Sequence, residues 1–244
     1  MKLFTVIFAS LLFPFSGIDL VNQMDGVLKP ADIKSNITLL IKRKKMKTLS
    51  FRSITKDNGK KQIIWFTAPI SEKGISFLKI EKTNKSEDLR MWLPAFKKTR
   101  RISSKKKGDS FMGSDLSYED LYNRKKGEYS FKLLEHKEFK NEKCYILESI
   151  PNANLKSEYS KHITWISIDN LIPVREHSFD KNGELLKEKF FYYKKIQDYW
   201  IAELIHIENL QKNQSTRVKI ENIELNSNID DKIFHEKNLQ RLPF

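Results

Sequence analysis

The chain has 244 residues, 39% of them hydrophobic and 11% aromatic, with 16 Phe but only 8 Gly and 7 Pro. That suffices for one large β-rich domain or two small ones with a ring-rich interior, and it excludes a low-complexity or disordered chain. Lys and Arg number 45 against 31 Asp and Glu, a net charge of +14, so the surface is drawn to anionic partners unless the excess is only a Lys-rich habit of composition.

Residues 1–17 read as a secretory signal. Lys2 precedes an apolar run from Leu3 to Phe15, and Ser16 and Gly17 are small residues suited to cleavage. The run is short for a membrane span, and no later segment reaches transmembrane length. Export removes nucleic acid from the expected partners and leaves lipid head groups. The single cysteine, Cys144, lies far from the signal. It is therefore neither an acylated cysteine beside the cleavage site nor half of an intramolecular disulfide, and its alternating context predicts a structural thiol.

Residues 18–28 place Ile18, Val21, Met24 and Leu28 on one helical face and stop at Lys29-Pro30. This helix either packs on a core or lies as a lid over an apolar groove. Strand patterns dominate from Ile33. Runs 36–42 and 62–67 read as joined through the turn Asp57-Asn58-Gly59-Lys60. Strands over 74–81 and 89–93 follow, the latter ending at Pro94. Residues 128–134 and 143–149 read as a hairpin across 136–142. The meander then runs through 162–169, 174–179, 184–193, 200–208 and 216–225, and Asp230 opens a last short helical turn. Such short connections favour antiparallel neighbours.

Segment 200–208 is apolar on both faces, which predicts a central strand. A wide antiparallel sheet with so few helices must curl around them or around a ligand. The expected fold is mainly β (α+β). It is a strongly curved antiparallel sheet forming an unclosed half-barrel, with a few helices over an apolar concave face, in one domain spanning residues 18–244.

No phosphate-binding loop, dinucleotide fingerprint, nucleophile elbow or zinc-protease motif is present. His136, His162, His177, His206 and His235 share no metal-ligand spacing, so they are expected as surface or strand residues and no metal is expected. Glu119 and Asp120 are adjacent, as are Asp230 and Asp231, and adjacent side chains diverge, so neither pair suits acid/base work. Ser114, Asp115 and Ser117 read instead as caps of a short helix over 116–121, with Ser117 and Asp120 approximating a capping box. Without a nucleophile–base constellation the chain is expected not to be an enzyme and to need no cofactor.

The basic residues Lys97, Lys98, Arg100, Arg101, Lys105, Lys106 and Lys107 form either a solvated loop or a docking surface for anionic head groups or an acidic partner. Arg100 and Arg101 are the better candidates for specific contacts, because a guanidinium grips phosphate with two parallel hydrogen bonds.

The segment from Trp92 to Ile102 and the string Ser110-Phe111-Met112-Gly113-Ser114-Asp115-Leu116-Ser117-Tyr118-Glu119-Asp120-Leu121 resemble the signature of the outer-membrane lipoprotein-sorting protein family, exported relatives of the periplasmic carrier LolA. Pro69 through Gly74 to Phe77-Leu78, Trp165 to Pro173, and Phe234 to Leu239 resemble other parts of that family in order, so the likeness covers nearly the whole mature chain. It implies an unclosed β-barrel with helices over its open side and an apolar hollow that receives acyl chains. It assigns no residue roles.

Together these readings predict a periplasmic carrier or chaperone that binds lipid or lipoprotein acyl chains for transfer between the inner and outer membrane. The candidate cavity residues are Trp65, Phe77, Trp92, Trp165, Phe190 and Trp200, with Phe111 and Met112 near the mouth. An inner-membrane lipid or lipoprotein exporter is the expected protein partner, and an anionic membrane surface a further one. The alternative is a non-enzymatic module that senses lipid or lipoprotein, or docks, beside a membrane transporter.

Overall fold

The computed structural model describes residues 15–81 and 88–241; residues 1–14 of the expected signal lie outside them, whereas its last two, Ser16 and Gly17, are the cap and first residue of a helix. Thirteen described strands form one antiparallel sheet. In chain order they are β1 (Asp32–Lys42), β2 (Met46–Lys56), β3 (Lys61–Ala68), β4 (Ser76–Ile80), β5 (Asp88–Leu93), β6 (Lys98–Arg101), β7 (Tyr129–Phe139), β8 (Glu142–Pro151), β9 (Lys161–Ser167), β10 (Pro173–Phe179), β11 (Leu185–Ile196), β12 (Tyr199–Asn209) and β13 (Gln214–Leu225). The spatial order is β6-β5-β4-β3-β2-β1-β13-β12-β11-β10-β9-β8-β7. The sheet is unclosed and curves as a half-barrel.

This order has one topological consequence. Hairpins carry the chain outward from β1 to β6, and a second run of hairpins carries it back from β7 to β13, which pairs with β1. β6 and β7 are therefore the two free edges. Residues 102–128, which hold most of the sequence fingerprint, must cross from one edge to the other.

The register separates two faces. Leu39 stands opposite Leu49 and Val218, Phe51 opposite Phe66, Ile64 opposite Phe77, and Val218 opposite Ile205. With a side-chain period of two, these residues share the inner face. They form one cluster with Phe111 of the crossover, flanked by Leu116, Tyr118 and Leu121. Ile54, Ile63, Trp65 and Leu78 point the other way, and the C-terminal 3-10 turns cover them with Phe234 and Leu239.

Several local expectations change. The turn at Asp57-Asn58-Gly59 joins β2 to β3, so an additional strand, Met46–Lys56, stands between the two runs that the sequence had joined. Its Lys, Thr, Arg and Ser positions dilute the apolar alternation. The hairpin expected across 136–142 is tighter: β7 and β8 run to Phe139 and Glu142 around Lys140 and Asn141, both at positive φ, as a right-twisted two-residue turn requires. Segment 200–208 is indeed internal, between β11 and β13. The helical turn at the C-terminal end is present as Asp231–Ile233.

Helix α1 (Gly17–Gly26) is capped by Ser16 in a reciprocal capping box with Asp19. It lies against β7 and buries Leu20 on Leu147 and Ile166. Gly17 makes this approach possible: a Cβ there would stand 2.7 Å from the backbone of Phe131 and Lys132.

Candidate functional site

The crossover enters the hollow at Phe111. Its ring meets those of Phe51, Phe66, Phe77 and Tyr118 at centroid separations of 5.2–6.4 Å, so five aromatic rings pack in one edge-and-tilt cluster. Met112 at φ 51° and Gly113 at φ 79° turn the chain sharply, and Arg43 holds the Gly113 carbonyl. Asp115 does not cap a helix as expected. Its carboxylate accepts from Thr216 Oγ1 at 2.7 Å, and its own N–H donates to the same oxygen at 2.9 Å, which bolts the crossover to β13. Ser117 and Asp120 do form the reciprocal cap, at 2.8 and 3.2 Å, but on a single 3-10 turn, Glu119–Leu121, rather than a longer helix.

Asp120 has a second task that sequence reasoning missed. One carboxylate oxygen accepts from Lys189 Nζ at 2.6 Å; the other accepts from Lys187 Nζ at 3.3 Å and from Tyr159 Oη at 2.9 Å. Lys189 also donates to Glu176 at 3.1 Å. Glu176 in turn takes a paired grip from Arg124, at 2.7 and 2.9 Å, and a bond from Thr164. Lys187, Lys189 and Glu176 lie on the inner face, in register with Asn209, Ile207 and Thr164, and all are buried. Burial alone would raise Asp120 and Glu176. Lys189 and Lys187 outweigh it for Asp120, and Arg124 and Lys189 for Glu176, so both carboxylates stay well below their ordinary range. Burial also pushes Lys187 down, with Asp120 opposing, while Asp120 and Glu176 overcome burial to raise Lys189. His162, buried beside Ser178 at 2.9 Å, is driven well below its usual value by burial and by the Arg124 charge, and is neutral.

The cluster contains hydroxyls beside basic groups: Thr164 lines the large cavity described below, and Tyr159, which accepts from Lys187 Nζ at 2.7 Å, lines the smaller cleft. Ser117 donates to Asp120 at 2.9 Å. Ser178 is fully buried and lines none of the cavities described below. The arrangement neutralises charge and ties the crossover to β10 and β11.

Beside this ionic floor lies a cavity of about 660 Å³. Its apolar wall comes from Val21, Met24 and Leu28 above, and from Phe131, Ile166 and Phe191 of the sheet. Arg124, Glu176 and Thr164 line it on the side of the ionic floor, and Ser35, Ser53, Thr55 and Gln62 add polar groups from β1, β2 and β3. The volume lies within the 300–1,000 Å³ typical of sites for small organic ligands. A smaller cleft of about 380 Å³, edged by Lys107, Tyr122 and Lys156, shares Arg124, Glu176 and Phe191 with it. Among the described residues no group of His, Cys, Asp or Glu is arranged to hold a metal ion.

The expected cavity residues fall into four places. Trp200 lines the large cavity. Phe77 and Phe111 are buried in the aromatic cluster, and Met112 packs against it. Trp65 and Trp92 lie on the opposite face beneath the C-terminal turns, where Trp65 Nε1 donates to the Asn238 carbonyl at 3.0 Å. Trp165 and Phe190 flank Arg175, whose guanidinium sits 4.7 Å from the first ring and 5.8 Å from the second.

The basic run divides too. Lys98–Arg101 is the edge strand β6, whose charge discourages pairing with another chain. Lys105 and Lys106 lie in a separate 3-10 turn, and Lys107 rests 4.8 Å from the Tyr122 ring centre at the smaller cleft. Cys144 is buried on β8, and burial raises its thiol to about 11, which keeps it unreactive.

A family model that describes its members only as uncharacterized proteins matches residues 58–241. A solved DUF1329 family protein from Desulfovibrio piger is 31% identical and superposes with a TM-score of 0.86 over 92% of this chain and 98% of the other. The chain belongs to the DUF1329 family. A structure from Vibrio parahaemolyticus described as an outer membrane lipoprotein-sorting protein domain is 27% identical, with a TM-score of 0.87 over 92% and 98% of the two chains. A LolA superfamily protein from Nitrosomonas europaea, 19% identical, shares the fold at a TM-score of 0.73 over 91% and 99%. This DUF1329 chain is thus LolA-like, as the fingerprint implied. No curated protein matches it significantly. No helix among the described residues is long and apolar enough to cross a membrane.

Proposed function

We propose that this protein is an exported, periplasmic carrier that shelters acyl chains of lipid or lipoprotein in the cavity beneath α1, without catalysis. The observation that carries this reading is the cavity itself: about 660 Å³, with an apolar wall of Val21, Met24, Phe131, Ile166 and Phe191 facing polar groups that include Arg124, Glu176, Ser53 and Gln62. Each methylene buried there contributes about 0.8 kcal/mol, enough to hold a chain firmly yet reversibly. The likeness to a lipoprotein-sorting domain supports the same reading.

The cavity depends on α1, which is its roof and is attached chiefly to β7. The helix is therefore the movable lid, while the crossover, pinned by Asp115 and Asp120, is the fixed filler of the rest of the hollow. Lipid extraction and mass spectrometry on protein purified from the periplasm without detergent test the proposal. A stoichiometric lipid or acylated peptide supports it and names the cargo class. An empty protein that takes up no acyl probe in vitro contradicts it.

A further inference from the structure

We infer that one rim of the half-barrel is a docking surface for an anionic phospholipid bilayer. In an antiparallel meander alternate turns lie at the same end of the sheet. The register places four neighbouring turns side by side on one rim: Ser215 of β13 faces Lys42 of β1, Ser50 of β2 faces Ala68 of β3, and Ser76 of β4 faces Trp92 of β5. Each of these turns presents one large apolar side chain to solvent. They are Leu210 at 47% exposure, Met46 at 71%, Ile70 at 90% and Phe96 at 61%.

Lone exposed apolar residues are ordinary, but one on each of four consecutive turns makes a row along the rim, its members two strand spacings or ~10 Å apart. Its surroundings are basic. Lys44, Lys45, Lys73, Lys97, Lys98 and Lys212 are exposed on the same four turns or beside them. The only acid on these turns, Glu72, is paired with Lys47 at 2.8 Å. Apolar tips within a ring of lysines are what an interfacial anchor needs: the tips enter the head-group region while the ammonium groups meet lipid phosphates. The four tips sit on four separate turns rather than around one groove, which suits the fluid interface of a bilayer better than a shaped protein surface.

The geometry also sets orientation. The cavity lies toward the opposite rim, where Asn58, Gly59, Leu171 and Leu28 border it. A molecule seated by Met46, Ile70, Phe96 and Leu210 holds its cavity away from the bilayer, open to a partner or to cargo in the aqueous phase. Docking of this kind does not depend on the carrier reading.

The test is co-sedimentation of the full chain with phosphatidylcholine vesicles, with and without phosphatidylglycerol. Binding is expected only to the anionic vesicles, and to weaken as salt rises. The double substitution Ile70→Ser, Phe96→Ser is expected to weaken it about tenfold or more. Both side chains are exposed, so the melting temperature is expected to be unchanged. Lys60→Ser, exposed on the opposite rim and outside the cavity lining, is expected to leave vesicle binding intact. Equal binding to neutral vesicles, no effect of the double substitution, or a dimer without lipid that the double substitution disperses would each overturn the inference. Acyl-probe uptake by the same variants separates this outcome from failure of the carrier reading.

Discussion

Lys189 of β11 and Asp120 of the crossover meet at 2.6 Å, 7% and 4% exposed, although 69 residues separate them in the chain. This contact fixes where the crossover lies in the hollow, and so how much of the hollow remains for a ligand. A buried pair of this kind need not stabilise relative to an apolar pair, but losing one partner leaves a stranded charge.

Asp120→Ala is therefore expected to destabilise the protein by about 3–5 kcal/mol, with Lys187 stripped of its carboxylate partner and Lys189 left with Glu176 alone. Lys189→Met alone is expected to be similarly harmful. The double variant Asp120→Ala, Lys189→Met is expected to lose less than the sum, because the two residues act on each other. Chemical denaturation of the four proteins checks this; simple additivity would show that the contact does not couple crossover and sheet.

Acid should loosen the protein in two stages. His162 has its folded value held below its ordinary 6.5, so the unfolded chain binds the extra proton first, and its contribution is complete above about pH 7 and lost as pH falls. Asp120 and Glu176 are also depressed, from 3.8 and 4.5, so their contribution is complete above about pH 5 and lost on further acidification. Both slopes have the same sign. His162→Gln is expected to flatten the stability profile between about pH 5 and 7 while keeping the steeper fall below. An unchanged profile would mean that His162 is not held neutral.

Gly17→Val should displace α1, because the new Cβ would stand 2.7 Å from the β7 backbone. The sheet does not need the helix to form its aromatic cluster, so we expect a small change in melting temperature. Rapid proteolysis near residues 17–26 and weak acyl-probe binding should accompany it. Intact binding would argue against α1 as the roof.

Much of the architecture was legible beforehand. The turn at Asn58-Gly59 was placed correctly although the strand before it was missed, the meander from 162 to 225 was read strand by strand, and the fingerprint pointed to the half-barrel. What stayed hidden depends on register between distant strands. Lys187 and Lys189 look like solvent-facing positions in a strand of mixed charge, and only their alignment with Ile207 and Glu176 turns them inward. Asp120 showed its local cap but not its remote lysines. Ring size alone could not tell inner from outer face: Trp65 and Phe66 are neighbours in sequence, yet only Phe66 joins the inner cluster. The signal of the cavity wall was instead the apolar spacing of Val21, Met24 and Leu28, although α1 ends at Gly26 and Leu28 lies just past it.

That distinction is itself testable. Met24→Asp and Phe191→Asp should weaken acyl-probe binding about tenfold or more, since each places an unpaired charge in the apolar wall. Phe190→Ser, next in sequence to Phe191 but set among Arg175, Phe139 and His206, should leave binding within about twofold. The reverse ranking would move the site to the other face of the sheet.

The most direct test is photolabelling of the purified protein with a diazirine-bearing fatty acid, followed by peptide mapping. The account predicts saturable labels at Met24 of α1 or at Leu28 just beyond it, and on Phe131 or Phe191. Labels concentrated on residues around Phe190 and Trp165, or no saturable label, would contradict a carrier built on the cavity beneath α1.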